Sequence, residues 1–336
     1  METQIFTKES LDVAAKALQQ GEIVSFPTET VYGLGAIATS QEAVLKVFEA
    51  KGRPSDNPLI VHISDINQMT STVEEVPEIA LTLAKAFWPG PLTLILKAKP
   101  GIYAPALSAG LPTVSFRMPN HPLTLELITK VGIPLVGPSA NLSTKPSPTK
   151  VQHVFEDMNG RIRGIVDGGS STVGVESTVI DLTNEEGPVI LRQGVITKEQ
   201  IESVIGPIQS SVTTKTGEKE VPKSPGMKYR HYAPKTPVLI VEGAVESFEK
   251  AKQEAQKNGK IVGIMAQNAI VDALEIGVEG IYKMGTSVDD MNRSLFDALR
   301  TLDHLELDII LAQGAPEEGV GIAYMNRLKK AASTVL

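Results

Sequence analysis

The chain has 336 residues, 42% of them hydrophobic and 21% charged, with 28 Gly, 22 Pro, no Cys and a formal net charge of −7. It is long enough for two separate cores, so two domains are expected. The lack of cysteine excludes disulfides, thiolate zinc sites and cysteine nucleophiles, and the acidic balance counts against a protein that coats nucleic acid nonspecifically. No window reaches the roughly 20 apolar residues of a membrane span, and the first ten residues lack a signal peptide's apolar core, so a cytoplasmic protein is expected.

In chain order, Thr7 to Gln20 sets Leu11, Ala14, Ala15 and Leu18 at helical spacing, with Gly21 past the end. Ile23 to Phe26 reads as a strand stopped by Pro27, and Pro27 to Gly35 as a loop rich in hydroxyls and glycine. Ser40 caps a second helix carrying Val44, Val47 and Phe48. Short strands follow at Leu59–Ile63, Leu92–Leu96, Thr113–Phe116, Pro134–Val136, Ile165–Asp167, Thr178–Leu182 and Val189–Leu191, with helices near 76–87, 121–131 and 197–204. Several strands succeed one another without a helix between them, so the sheet is expected to be mixed.

Residues 207 to 236 lack apolar periodicity and read as a linker. Residues 209 to 236 hold six Lys or Arg against two Glu, whereas 237 to 336 hold ten against fifteen acidic residues, so the linker is a basic island. Beyond it, strands at Val238–Val241, Ile261–Met265 and Ile309–Leu311 alternate with helices near 245–257 and 287–302, the second opened by Ser287 with Asp290 three residues on. This predicts a small parallel α/β domain, giving an α/β protein with domains at 1–206 and 237–336 joined by 207–236.

The densest polar cluster is Lys51-Gly52-Arg53-Pro54, then Asn57-Pro58-Leu59 and His62. It can present cations to phosphate, or it can simply complement a helix dipole. Pro138-Ser139-Ala140-Asn141-Leu142-Ser143, followed by Lys145, Ser147 and Thr149, suits phosphate oxygens or forms a capped turn. Arg117, at the end of its strand, can clamp a carboxylate or stand as a solvated charge. Ser177 and Arg192 flank strands, and Gly168 to Gly174 can form an anion nest or a hairpin loop. The five histidines show no metal-ligand spacing, and there is no nucleophile elbow or P-loop. Cations, hydroxyls and amides fit nucleotidyl transfer, which proceeds by positioning and charge stabilisation.

The runs PTETVYGLG, KGRPSDNPL followed by VHI, TVSFRMP, GPSANLSTKPSPT, VESTVID and ILRQG strongly resemble the YrdC-like threonylcarbamoyl-AMP synthase family over residues 10 to 206. SPGMKYRHYAP, Ser224 to Pro234, and the domain after it resemble the long, two-domain form of that family. The resemblance implies a YrdC-like twisted mixed sheet with a deep positive cleft and a smaller Rossmann-like C-terminal domain. It implies a nucleotidyltransferase that joins L-threonine, bicarbonate or CO2 and ATP with release of pyrophosphate. The product would serve N6-threonylcarbamoyladenosine formation at position 37 of tRNAs reading codons that start with A.

Carried over residue by residue, Thr30, His62, Arg117, Gly137 and Ser177 match L-threonine positions. Arg53, Asn57, Thr113, Ser139, Ser147 and Arg192 match ATP positions, Lys51 and Asn141 belong to the signature around the phosphates, and Tyr232 reaches the nucleotide. Lys51 and Arg53 are the expected catalytic pair, with magnesium held through ATP's phosphates rather than by protein side chains. A downstream tRNA threonylcarbamoyl transferase is the implied partner, and the resemblance leaves open a weak contact with tRNA itself. The linker, with Arg230, His231 and Tyr232, is expected to close over the cleft as a lid. A carbamoyl-transferring relative would need cysteine zinc fingers, which this chain cannot build. A nonenzymatic RNA-binding module is the third reading, and the acidic net charge counts against it.

Overall fold

The computed structural model describes residues 2–209, 232–274 and 277–335. They divide into two compact units: residues 2–143, 148–172 and 176–209 form the first, and residues 144–147, 173–175, 232–274 and 277–335 form the second. Most of the basic linker, including Arg230 and His231, lies outside the described residues.

The first unit is built on ten strands: β1 (Gln4–Phe6), β2 (Val24–Phe26), β3 (Gly33–Ile37), β4 (Ile60–His62), β5 (Leu92–Lys97), β6 (Thr113–Arg117), β7 (Leu135–Val136), β8 (Gly164–Val166), β9 (Thr178–Asp181) and β10 (Val189–Arg192). Their order in the sheet is β1-β8-β2-β3-β7-β4-β6-β5-β9-β10. The sheet is mixed, as expected: β4 and β6 run parallel, while β7 is antiparallel to both β3 and β4.

Strand alternation gives the two faces different fates. One face carries Leu34, Ala36, Val61, Leu92, Leu94, Leu96, Val114, Phe116 and Val136 into a single large apolar cluster. The other face forms a second apolar cluster over the β1-to-β7 half, where Val24, Phe26, Ile37, Leu135 and Val166 pack with the helices Leu11–Gln19 and Pro122–Val131. Register then carries this second face across the sheet, because His62 pairs with Leu135 and with Arg117. Beyond β7 that face therefore holds His62, Thr113, Ser115 and Arg117, all buried. The site is this polar half.

Gly33 and Gly35 do not belong to a loop, as the hydroxyl-rich sequence before them suggests, but to β3. A Cβ on either would fall within 3 Å of the Phe26 ring, and one on Gly137 would strike both Phe26 and His62. Close packing under an aromatic ring, rather than turn geometry, explains these glycines. Phe26 lies over them and meets the His62 ring edge to face at 5.4 Å. The run Gly168 to Gly174 is no hairpin either, since β8 pairs with β1 and β2 whereas β9 pairs with β5 and β10. Nor is it an anion nest around its first glycines: the Gly168 amide donates to the Tyr32 hydroxyl at 3.2 Å and the Gly169 amide to Asp167 Oδ1 at 3.0 Å.

The second unit has a wholly parallel sheet of β11 (Val238–Val241), β12 (Val262–Ala266), β13 (Gly280–Lys283), β14 (Ile309–Gln313) and β15 (Thr334–Val335), in the order β13-β12-β14-β11-β15. Phe248 and Ala251 from the helix Val245–Lys257 pack with Val241, Val262, Ile264 and Leu311 to form its core. The helix Val288–Asp303 opens with the expected capping box, in which Asp290 N–H donates to Ser287 Oγ and Ser287 N–H to Asp290 Oδ2, each at 3.1 Å.

Candidate active site

Four of the residues matched to L-threonine meet on the polar half of the sheet. Arg117, 4% exposed at the end of β6, donates from Nη1 to Thr30 Oγ1 at 2.8 Å and from Nε to the Gly90 carbonyl at 3.3 Å. Its Nη2 lies 2.7 Å from Glu29 Oε2. The turn that holds Thr30 is locked by Thr28, whose Oγ1 accepts the amides of Thr30 and Val31, both at 3.1 Å, and shares a 2.8 Å hydrogen bond with Thr30 Oγ1. His62 sits beside Gly137, its Nδ1 3.3 Å from the Ile60 carbonyl. Burial, helped by the positive charge of Arg117, pushes its imidazole down to about 3, so it stays neutral at physiological pH.

A second group surrounds Lys51 at the end of the helix Gln41–Lys51, which is capped by Ser40 at one end and closed by Gly52 in the left-handed region at the other. Lys51 is 3% exposed and donates from Nζ to the carbonyls of Ser139 and Asn141, the latter at 2.9 Å. It thereby fixes the backbone of the Ser-Ala-Asn stretch. Burial, and then the neighbouring Arg53 charge, pull the ammonium down to about 7, while Asp157 and Glu176 oppose the fall. Arg53 donates from Nη2 to the Asn57 carbonyl at 3.1 Å and stands over the Phe48 ring at 5.7 Å. The Asn57 side chain is fully buried, and neither its oxygen nor its nitrogen has a hydrogen-bond partner. Orphaned amides of this kind are costly and call for a ligand.

The third group is Ser177 with Arg192. Arg192 donates from Nε to the Ser177 carbonyl at 2.9 Å and from Nη2 to Ser177 Oγ at 3.0 Å, and Ser177 Oγ lies 2.7 Å from Thr93 Oγ1. Glu176, next in the chain, acts on the Lys51 charge and so links this group to the second. Thr113 is buried at the start of β6, four residues from Arg117 and on the same face.

The remaining two predicted positions, Ser147 and Tyr232, belong to the second unit. Ser147 is buried there, one residue from Pro146, whose carbonyl takes both Nε (3.2 Å) and Nη2 (2.7 Å) of Arg300. Tyr232 packs on the Phe296 ring at 5.0 Å, and the next amide, of Ala233, donates to the Thr144 carbonyl at 3.0 Å.

Sequence reasoning gave no role to Glu29, Thr93, Ser115 or Glu176. Ser115 was accessible, because it is the period-2 position between Thr113 and Arg117. Thr93 sits inside an apolar run, and only the pairing of β5 with β9 brings it beside Ser177.

Residues 16–194 match the Sua5/YciO/YrdC family, described as "Telomere recombination", and residues 196–333 match "Threonylcarbamoyl-AMP synthase, C-terminal domain". A Bacillus subtilis protein named threonylcarbamoyl-AMP synthase is 51% identical over 95% of this chain and 92% of its own length. A Pyrococcus abyssi protein of the same name is 47% identical over 95% and 93%. The crystal structure of P. abyssi Sua5 complexed with L-threonine superposes with a TM-score of 0.92 at 42% identity, covering 100% of this chain and 99% of that one. With both domains matched in order and relatives similar along nearly their whole length, the chain belongs to the threonylcarbamoyl-AMP synthase family, in the form that carries the Sua5 C-terminal domain.

Proposed function

We propose that this protein is a nucleotidyltransferase that makes L-threonylcarbamoyl-AMP from L-threonine, CO2 or bicarbonate, and ATP, releasing pyrophosphate, for the threonylcarbamoyl modification of tRNA adenosine. The observation that carries the reading is the buried polar half-sheet, where Arg117, Thr30 and neutral His62 stand together in a chain whose P. abyssi relative was solved with L-threonine. Arg117 takes the threonine carboxylate, with Thr30, Gly137 and Ser177 shaping the pocket, and His62 offers a neutral imidazole to the hydroxyl. Lys51 holds the Ser139 to Asn141 backbone, and Arg53, Asn57, Thr113, Ser147, Arg192 and Tyr232 serve ATP.

In the reaction the neutral amine adds to CO2 and loses a proton to give a carbamate. A carbamate oxygen then attacks the α-phosphorus, and the bond to the pyrophosphate oxygen breaks. No protein nucleophile takes part, so the task is to hold two anions together against their repulsion. Arg53 and Arg192 contribute fixed positive charge, and Lys51, with its lowered ammonium, adds to the field while protonated. Magnesium carried on the phosphates of ATP would offset their charge. The acyl adenylate passes to a downstream tRNA threonylcarbamoyl transferase in the cytoplasm.

Pyrophosphate release tests this, with L-threonine and bicarbonate each supplied or withheld. Release is expected only with both, and an Arg117→Ala variant should lose at least about a hundredfold, since a charge-assisted clamp on a substrate carboxylate is removed. Release that needs neither substrate would overturn the reading.

A further inference from the structure

Glu29 has no part in the roles above, yet it is the anion nearest the Arg117 guanidinium. Its side chain is 6% exposed, and the contact with Arg117 Nη2 is 2.7 Å. The two groups attract by charge without aligning as a hydrogen bond, so Glu29 Oε1, Glu29 Oε2 and Arg117 Nη2 all keep open hydrogen-bonding capacity while buried. An ion pair that served stability alone would be expected to close in the bidentate, fully hydrogen-bonded form, because leaving such atoms unmade costs free energy.

The turn carrying Glu29 is also held more firmly than a charge balance requires. Thr28 Oγ1 donates to the Val31 carbonyl at 2.6 Å as well as accepting two amides, and Ser171 Oγ donates to the Thr28 carbonyl at 3.0 Å. Glu29 is therefore displayed from a rigid turn. Its neighbour His121 keeps a buried Nδ1 without a partner while Nε2 faces the Gly168 carbonyl at 3.3 Å. Open acceptors on a carboxylate, beside an open donor on an arginine, are complementary to a molecule that carries an ammonium and a carboxylate on one carbon.

We propose that Glu29 binds the α-ammonium group of the substrate amino acid while Arg117 binds its carboxylate, so that the pair clamps a zwitterion. This rests on the threonine-binding reading above and adds to it a residue that decides between α-amino acids and their hydroxy-acid counterparts. A clamp of this kind also fixes the direction from which the nitrogen, once deprotonated, meets CO2. A buried carboxylate placed for an ammonium discriminates against an analogue with a neutral hydroxyl there, because one O–H replaces three N–H donors and the counter-charge is lost.

The test is calorimetric titration of the full chain with L-threonine and with 2,3-dihydroxybutanoate of matching configuration, which keeps the carboxylate and β-hydroxyl but carries a hydroxyl in place of the ammonium. The wild type should prefer threonine by at least about a hundredfold. In Glu29→Gln that preference should fall below about tenfold, mainly by loss of threonine binding. If Glu29→Gln weakened both ligands equally and kept the preference, Glu29 would merely orient Arg117 and the proposal would be overturned. A shift of the thermal midpoint by ATP reports whether the variant is folded. Should Glu29→Gln fail to fold, Glu29→Asp carries the test: it keeps the charge on a shorter stem that draws it back from the ammonium, so threonine binding weakened more than hydroxy-acid binding, with a smaller preference, supports the clamp, whereas equal weakening of both ligands with the preference kept overturns it. Failure of the wild type to bind threonine at all would instead sink the function reading, and this inference with it.

Discussion

Both units bury charge, and they treat it in opposite ways. In the second unit, Lys252 is paired with Glu249 at 2.7 Å, Arg300 puts two nitrogens on the Pro146 carbonyl, and the Tyr282 hydroxyl donates to Asp297 Oδ2 at 2.5 Å. In the first, Glu29, Asn57, His121 and Arg117 keep buried polar atoms with open hydrogen-bonding capacity, whereas in the second only Asn292 Oδ1 does so among the described residues. Buried charge is thus a poor marker of function by itself, since folds routinely satisfy it internally. Polar groups held in place without partners are the better marker, because they cost stability unless a ligand completes them.

The largest effect expected from this contrast is at the ion pair. Arg117→Leu should destabilise the protein by about 3–5 kcal/mol in urea unfolding, because it strands the Glu29 carboxylate in a buried place. Adding Glu29→Leu should recover much of that loss, since the cost lies in the stranded charge and not in the missing attraction. A double variant no more stable than the single one would break the contrast, showing that the pair supports the fold as the second unit's pairs do.

A smaller effect of opposite sign is expected at Asn57. Replacing it by leucine, similar in shape but without the orphaned amide, should raise stability by about 1–2 kcal/mol while abolishing the shift of the thermal midpoint by ATP. Such a variant separates the two demands on one residue. Loss of stability together with loss of ATP response would mean that the amide is satisfied in the free protein.

The same contrast explains what could be read in the sequence. The second unit's strands VLIV, VGIMA and IILAQ are continuous apolar runs, as a parallel sheet covered on both faces requires, and they were legible at once. Its edge strand Gly280–Lys283 and the helix Gly321–Ala331 were not, because GIYK is short and half polar and the helix comes after a run rich in glycine and proline. In the first unit, β3 was hidden because Gly33 and Gly35 read as a loop until Phe26 is placed over them. Lys51, Arg53, Asn57, Arg117 and Ser139 stood out as motifs. Glu29, Thr93, Ser115 and Glu176 gain their meaning from register and from charges brought together across the sheet, which spacing along the chain does not encode.

The smallest effect tests the closed side of the comparison. Tyr282→Phe removes the donor to Asp297 and leaves that buried carboxylate one hydrogen bond short, at a cost of about 1–2 kcal/mol for a bond to a charged acceptor. Tyr282 already resists ionisation, because burial and then the Asp297 carboxylate raise its hydroxyl well above the usual range, so the bond is a simple O–H donation at any ordinary pH. Threonine binding in this variant, measured by the same titration as for Glu29, should match the wild type within about twofold. This bond sits in a unit whose other buried ions already have partners, so removing it should lower the unfolding midpoint and nothing else. Selective loss of threonine affinity, with the midpoint unchanged, would show that a closed hydrogen bond can serve the site as directly as an open one, and the distinction between the units would fall.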